Sequence, residues 1–148
     1  MLQTWPQLKE AYVNTGQVYY VFRDFPLPSH SNAHKAAEAA RCAGAQGVFW
    51  EMHDRLFEGQ GEWSQRYPEN AYKVFVRYAT SLGLDVAVFE ECLQSGAFAE
   101  QIAGDIQAGQ EAGVRGTPSF LINGRLVSGA YPFEDLERVI ELELAKQP

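Results

Sequence analysis

The stretch Gly116-Thr117-Pro118-Ser119-Phe120-Leu121-Ile122-Asn123-Gly124 constrains the fold more than any other part of this chain. An apolar run opened by Thr-Pro and closed by Asn-Gly reads as a strand entered through a constrained peptide bond and left through a tight hairpin. Proline cannot donate to a sheet ladder, so Pro118 belongs at the first residue of a strand or on an edge. Asn123-Gly124 supplies the two positive-φ positions of a type I′ turn, so Arg125-Leu126-Val127-Ser128 should return antiparallel. A cis Thr117–Pro118 bond and a plain hairpin with a trans proline are equally compatible with these residues. A cis X–Pro bond persists in folded proteins only where context fixes it, often beside a site.

Upstream of the hairpin the signals are mostly helical. Trp5, Leu8, Ala11 and Tyr12 stand at helical spacing over Leu2–Tyr12, and Asn14-Thr15-Gly16 ends that piece. Val18-Tyr19-Tyr20-Val21-Phe22 is a β-branched and aromatic run that reads as a strand, stopped by Phe25-Pro26-Leu27-Pro28. Ser31 or Asn32 can cap an alanine-rich helix over Ala33–Ala43. Phe49, Met52, His53, Leu56 and Phe57 mark the next helix, with Gly59-Gln60-Gly61 as its stop. Ala71–Leu82 carries Tyr72, Phe75, Val76 and Ala79 on one face. Asp85 can cap a helix bearing Phe89, Cys92 and Leu93, and Ser95 a longer one over Ala97–Ala112. After the hairpin, Pro132 suits the first turn of a terminal helix striped by Leu136, Val139, Ile140 and Leu144. A strand, a helical block, a hairpin and a closing helix indicate a layered α/β or α+β fold.

Composition narrows the functions. The 148 residues suit one domain, and 46% apolar with 21% charged residues is ordinary globular material. The formal charge of −7, with only 12 Lys and Arg and no basic cluster, argues against nucleic acid or an anionic membrane as partner. No apolar run reaches the ~20 residues of a membrane span. The start, Met1-Leu2-Gln3-Thr4-Trp5-Pro6, has neither the basic nor the apolar segment of a signal peptide.

In order, these motifs resemble the DsbA-like family of thioredoxin-fold proteins. Gly113-Val114-Arg115-Gly116-Thr117-Pro118-Ser119-Phe120, the Asn-Gly tip and Gly129 before a terminal helix are similar to its second half. Val21-Phe22-Arg23-Asp24-Phe25-Pro26-Leu27, Ala39-Ala40-Arg41-Cys42-Ala43, Phe49 to Phe57, Leu84-Asp85 and Phe89 to Leu93 resemble the section around its helical insertion. The likeness runs from about Thr4 to Ala145. It implies a single α/β thioredoxin-like domain over residues 1–148, incomplete at the N-terminus, with an all-helical insertion over 33–112 between the first strand and the hairpin plus helix. The family's chemistry sits in a Cys-x-x-Cys pair at the start of the first helix, where unpaired N–H groups and the helix dipole favour the exchanging thiolate. Cys42 and Cys92 are the only cysteines here and neither lies in such a motif. By the resemblance, roughly 20–30 residues forming the central strand and the thiol loop are missing. The chain then reads as a truncated gene product, an excised piece or a decayed copy. Alternatively, Val18–Phe22 pairs directly with Ser119–Ile122, or another chain supplies a strand.

The resemblance implies a thiol–disulfide oxidoreductase that forms or exchanges protein disulfides, with Pro118 as the cis-proline and Thr117 pairing to the substrate backbone. This chain itself would be inactive for want of the thiol pair. Partners would be an extended polypeptide or thiol substrate and a redox partner protein, with no cofactor. The family is mostly extracytoplasmic, periplasmic or membrane-anchored. Two alternatives stand beside it: a non-catalytic module that binds peptides through the proline loop, and a glutathione-dependent isomerase or transferase relative. Thr117 before the proline favours the oxidoreductase branch over the latter, whose loops tend to carry an apolar residue there.

Cys42 and Cys92 stand fifty residues apart on predicted helices. They can be a structural disulfide, two buried thiols or a redox pair; the even count and the family's oxidising compartments favour the structural disulfide. His30 and His34 have the spacing of a helical metal pair, but caps at Ser31 or Asn32 put His30 off the helix and no third ligand is evident, so no metal is expected. His53, beside Trp50 and Phe57, and Trp5, Trp50 and Trp63 read as packing residues. Glu134, Asp135, Glu137, Glu141 and Glu143 read as a mostly solvated face.

Overall fold

Asn123 and Gly124 adopt φ of 47° and 83°, and the chain folds back on itself there as a type I′ turn requires. The computed structural model describes residues 4–146. In chain order it contains α1 (Thr4–Leu8), which runs into a π-helical turn (Lys9–Val13), then α2 (Ala33–Ala45), α3 (Phe49–Glu58) and α4 (Gln60–Trp63). There follow α5 (Pro68–Ser81), α6 (Val86–Ser95), α7 (Ala99–Glu111), β1 (Ser119–Ile122), β2 (Arg125–Ser128) and α8 (Phe133–Leu144). The expected start of the first helix at Leu2 lies outside the described residues. The chain divides into two compact units, a helical one over Asp24–Gln107 and a terminal one from Met1–Arg23 and Ala108–Pro148.

The helical unit is built on alanine. Ala39, Ala40 and Ala43 of α2 are almost fully buried, and their small side chains let larger neighbours reach the helix backbone. Met52 and Leu56 of α3, Phe75 and Tyr78 of α5, and Phe89 and Leu93 of α6 fill the space. The core face of α5 is Ala71, Val74, Phe75, Tyr78 and Ala79, while Tyr72 and Val76 sit at its margin. Trp63 of α4 is buried too, and its indole N–H donates to the Leu56 carbonyl at 3.0 Å, which removes the cost of burying that donor.

Helix α5 begins at Pro68, three residues ahead of the expected Ala71, and the residues at three other helix ends act differently from the sequence expectation. Gly59 stops α3 as expected, but Gln60 and Gly61 already belong to α4, so the one glycine both ends α3 and opens α4. Its φ of −90° is right-handed, and a Cβ there would lie 1.9 Å from the Tyr78 hydroxyl. Glycine is needed at this position for space rather than for a left-handed turn. Ser95 does not cap α7; it closes α6, its hydroxyl donating to the Cys92 carbonyl at 3.0 Å, and Gly96 with φ of 65° ends the helix. Asn32 stands at the start of α2, but its side chain donates to the carbonyls of Trp63 and Arg66 at 2.8 and 2.9 Å instead of capping. Asp85, by contrast, caps α6 through Val88 N–H at 3.1 Å.

In the terminal unit the hairpin pairs Ser119 with Ser128 and Ile122 with Arg125. One face of it, with Phe120, Ile122 and Val127, lies on a cluster of Leu8, Tyr12, Leu136 and Ile140. The Tyr12 hydroxyl donates to Glu141 at 2.6 Å, tying the first helical segment to α8. Burial first, and then Glu141, hold that phenol well above the usual tyrosine range. Glu143 does not belong to a solvated face: it is buried, and Lys146 donates to it at 2.6 Å.

The expected strand over Val18–Phe22 does not form. Among the described residues the only sheet is β1 with β2. The segment nonetheless keeps a strand's alternation: Val18, Tyr20 and Phe22 are half-buried, while Tyr19 and Val21 are exposed at 91% and 48%. β-propensity sets which side chains turn inward; a strand also needs a neighbouring backbone to exchange hydrogen bonds with.

Cys42 of α2 and Cys92 of α6 are joined, with their Cα atoms 5.8 Å apart and a sequence separation of 50. In the chain-entropy picture a bridge closing such a loop contributes about 4 kcal/mol. The double variant Cys42→Ala, Cys92→Ala should therefore lose up to about that much unfolding free energy, measured by urea denaturation under non-reducing conditions. A loss below about 1 kcal/mol would show that the bridge adds little to packing already in place.

Candidate functional site

The peptide bond between Thr117 and Pro118 is cis. Two hydrogen bonds fix the loop around it. Gly129 N–H donates to the Pro118 carbonyl at 2.9 Å, and the Ser119 hydroxyl donates to the Gly116 carbonyl at 2.7 Å. The first extends the β1–β2 ladder by one step, so Pro118 sits at the strand's first position and needs no N–H of its own. Gly129 takes φ of 123°, and a Cβ there would meet the Tyr131 ring at 3.4 Å. Thr117 is exposed, and among the described residues no backbone–backbone hydrogen bond uses it. The two hydrogen bonds thus fix the loop just ahead of a strand, with the exposed Thr117 within it.

The structure places the other candidate residues in the helical unit. Cys42 is buried within the core, Cys92 lies at its margin, and their bridge leaves no thiol in this sequence. His34 faces Glu38 at 2.9 Å along α2. His30 lies before that helix, in the turn where its carbonyl accepts from Ala33 N–H at 2.9 Å. Among the described residues no group of three or more His, Cys, Asp or Glu side chains is placed to hold a metal ion.

His53 is 4% exposed, between Phe57 and Trp50 with ring centroids 4.8 and 5.4 Å away. Burial holds its pKa below the ordinary histidine value, although Asp54, 2.9 Å from Nδ1, pulls the other way. A second polar group carries no local sequence signal: the buried carboxylates of Asp24 and Asp105 with the half-buried Arg41. Arg41 Nε donates to Asp24 at 2.6 Å and Nη2 donates to Asp105 at 3.0 Å. Burial pushes the Asp24 carboxyl up, with Arg41 opposing. These residues are 17 and 64 positions apart, so no local spacing could have signalled the contact.

The arrangement defines a class: a hairpin opened by a cis-proline loop, backed by a terminal helix, with a helical unit between residues 24 and 107. A family model described as thioredoxin matches residues 2–142, and the chain belongs to the thioredoxin family. Its fold is DsbA-like. Oxidised BdbD from Bacillus subtilis superimposes with a TM-score of 0.82 at 22% identity, covering 95% of this chain and 76% of that one. The alpha-DsbA1 of Wolbachia pipientis gives 0.82 at 22% identity, over 97% and 77%. Among curated proteins, Na(+)/H(+) antiporter NhaA 3 of Salinispora tropica is 40% identical over 139 residues, 93% of this chain and 20% of that protein. The NhaA 1 antiporter of Salinispora arenicola is 39% identical over the same shares. The chain therefore spans about a fifth of the length of these relatives. None of its described helices is long and apolar enough to cross a membrane.

The His53 environment predicts a pH dependence. A histidine whose folded pKa lies below its unfolded value binds fewer protons when folded, so its contribution is full above about pH 6.5 and is lost as the pH falls through the depressed value. Stability should decline over that acidic window, and His53→Gln should flatten this part of the profile. An unchanged pH profile in thermal melts of the variant would show that His53 does not set it.

Proposed function

We propose that this chain is the substrate-binding portion of a protein thiol–disulfide oxidoreductase. The observation that carries the reading is the cis Thr117–Pro118 loop, with the exposed Thr117 at the head of β1. An extended polypeptide lies along the loop as a short added strand, and Thr117 exchanges main-chain hydrogen bonds with it. Disulfide exchange needs a thiolate attacking a disulfide sulfur. The two cysteines of this sequence are consumed in one bridge between helices, so the exchanging pair comes from outside the sequence.

The main alternative is a thioredoxin-like module that binds extended peptides without redox chemistry. The likeness to about a fifth of each of two proteins named as antiporters favours it. In that reading the module is attached to a transporter and recognises an exposed polypeptide segment.

Both readings place ligand at the same loop, and one pair of experiments separates them. Titration of the chain with an unstructured, cysteine-containing peptide should show binding that Pro118→Ala weakens at least fivefold. Fusion of a strand bearing Cys-x-x-Cys at its helix junction to the N-terminus should yield oxidation of a reduced model substrate. Peptide binding without turnover in the fusion would favour the module; equal binding by Pro118→Ala would sink both.

A further inference from the structure

Two carboxylates stand where the chain passes into and out of the helical unit. Asp24 is the first residue of that unit, and Asp105 of α7 lies two residues before its last, Gln107. Both are buried, at 3% and 5% exposure. One side chain answers both. Arg41 of α2 donates from Nε to Asp24 Oδ2 at 2.6 Å and from Nη2 to Asp105 Oδ2 at 3.0 Å. Asp24 N–H closes the triangle by donating to the same Asp105 oxygen at 3.2 Å. The guanidinium carbon lies 5.2 Å from the centre of the Phe49 ring, and the Arg41 side chain is only 17% exposed.

We propose that Arg41 is a latch that holds the two chain crossings of the helical unit at one point, so that they stay closed or open together. The physical basis is the fork. A guanidinium presents planar donors in fixed directions, so pairing one edge with Asp24 orients the other toward Asp105. The two carboxylates repel one another, and breaking a buried ionic contact by removing one partner leaves uncompensated charge behind. Losing either carboxylate removes one of the two anchors that set the guanidinium's orientation, and the remaining contact weakens with it. The proposed thiol chemistry uses none of these groups. Covalent attachment sits next door: Cys42, the neighbour of Arg41 on α2, is bridged to α6. The same turn of α2 is therefore tied to residue 24, residue 92 and residue 105.

Native-state amide hydrogen exchange on the full chain at neutral pH tests the latch. Asp24→Ala changes nothing within α7, yet exchange at residues 102–107 should rise at least fivefold, while amides of α5 stay within twofold of the parent. Arg41→Met, which keeps the apolar stem against Phe49, should speed both the Asp24 amide and residues 102–107. If that variant does not fold, Arg41→Lys serves, because one ammonium nitrogen lacks the planar fork by which Nε and Nη2 reach Asp24 and Asp105 from separate atoms; it should speed the same two places. The proposal is overturned if Asp24→Ala leaves residues 102–107 within twofold. It is equally overturned if either Arg41 variant loosens one crossing alone, or if α5 accelerates as much as α7.

Discussion

Helix α2 is the member on which the helical unit depends, because it is fixed by bonds of two kinds at consecutive residues. Cys42 binds it covalently to α6, and Arg41 binds it electrostatically to Asp24 and to Asp105 of α7. Successive residues on a helix point about 100° apart, so these attachments restrain it in two directions. The alanines flanking them, Ala39, Ala40 and Ala43, let the neighbouring helices approach closely. Met52, Phe75, Tyr78, Phe89 and Leu93 then pack with them in one buried cluster.

The terminal unit solves a different problem with less material. Its sheet has two short strands, too few for independent stability, and gains its support from the layer of Leu8, Tyr12, Leu136 and Ile140 beneath it. That support is what keeps the cis-proline loop in place. Pro118 is joined to Gly129 by the last step of the ladder, and the ladder is anchored by Phe120 and Ile122 on α8 and the first helical segment. The loop is therefore a rigid element of the fold and not a tip free to adapt.

Where structure followed from local chemistry, it was legible in the sequence. Asn123-Gly124 dictates its turn, Asp85 reaches Val88 N–H three residues on, and Leu136 and Ile140 mark the buried stripe of α8. Legibility ended where a distant group decides. Gly59 reads as a helix stop and is one, but the reason glycine is required there is the Tyr78 hydroxyl, nineteen residues away, which takes the space beside it. Glu143 looked solvated by pattern and is buried beside Lys146. Val18–Phe22 has every side chain a strand wants and lies outside the sheet, since ladder pairing is a property of two segments and composition reports on one. The thioredoxin-like character was legible because its motifs fall in order along the chain. The Asp24–Arg41–Asp105 triangle was not, because nothing near Asp24 in sequence distinguishes it from a surface carboxylate.

The exposed apolar residues of the terminal unit carry a colloidal consequence. Leu121 on β1 is 51% exposed, and Tyr19 and Val21 project from an extended segment nearby in composition to an aggregating strand. What tempers this hazard is brevity and charge. Each strand of the hairpin has four residues, Arg125 and Arg23 flank the apolar stretches as gatekeepers, and the net charge of −7 keeps molecules apart. Solubility should therefore be most fragile near the isoelectric point of about 4.9, where that mutual repulsion vanishes while the apolar side chains remain on show.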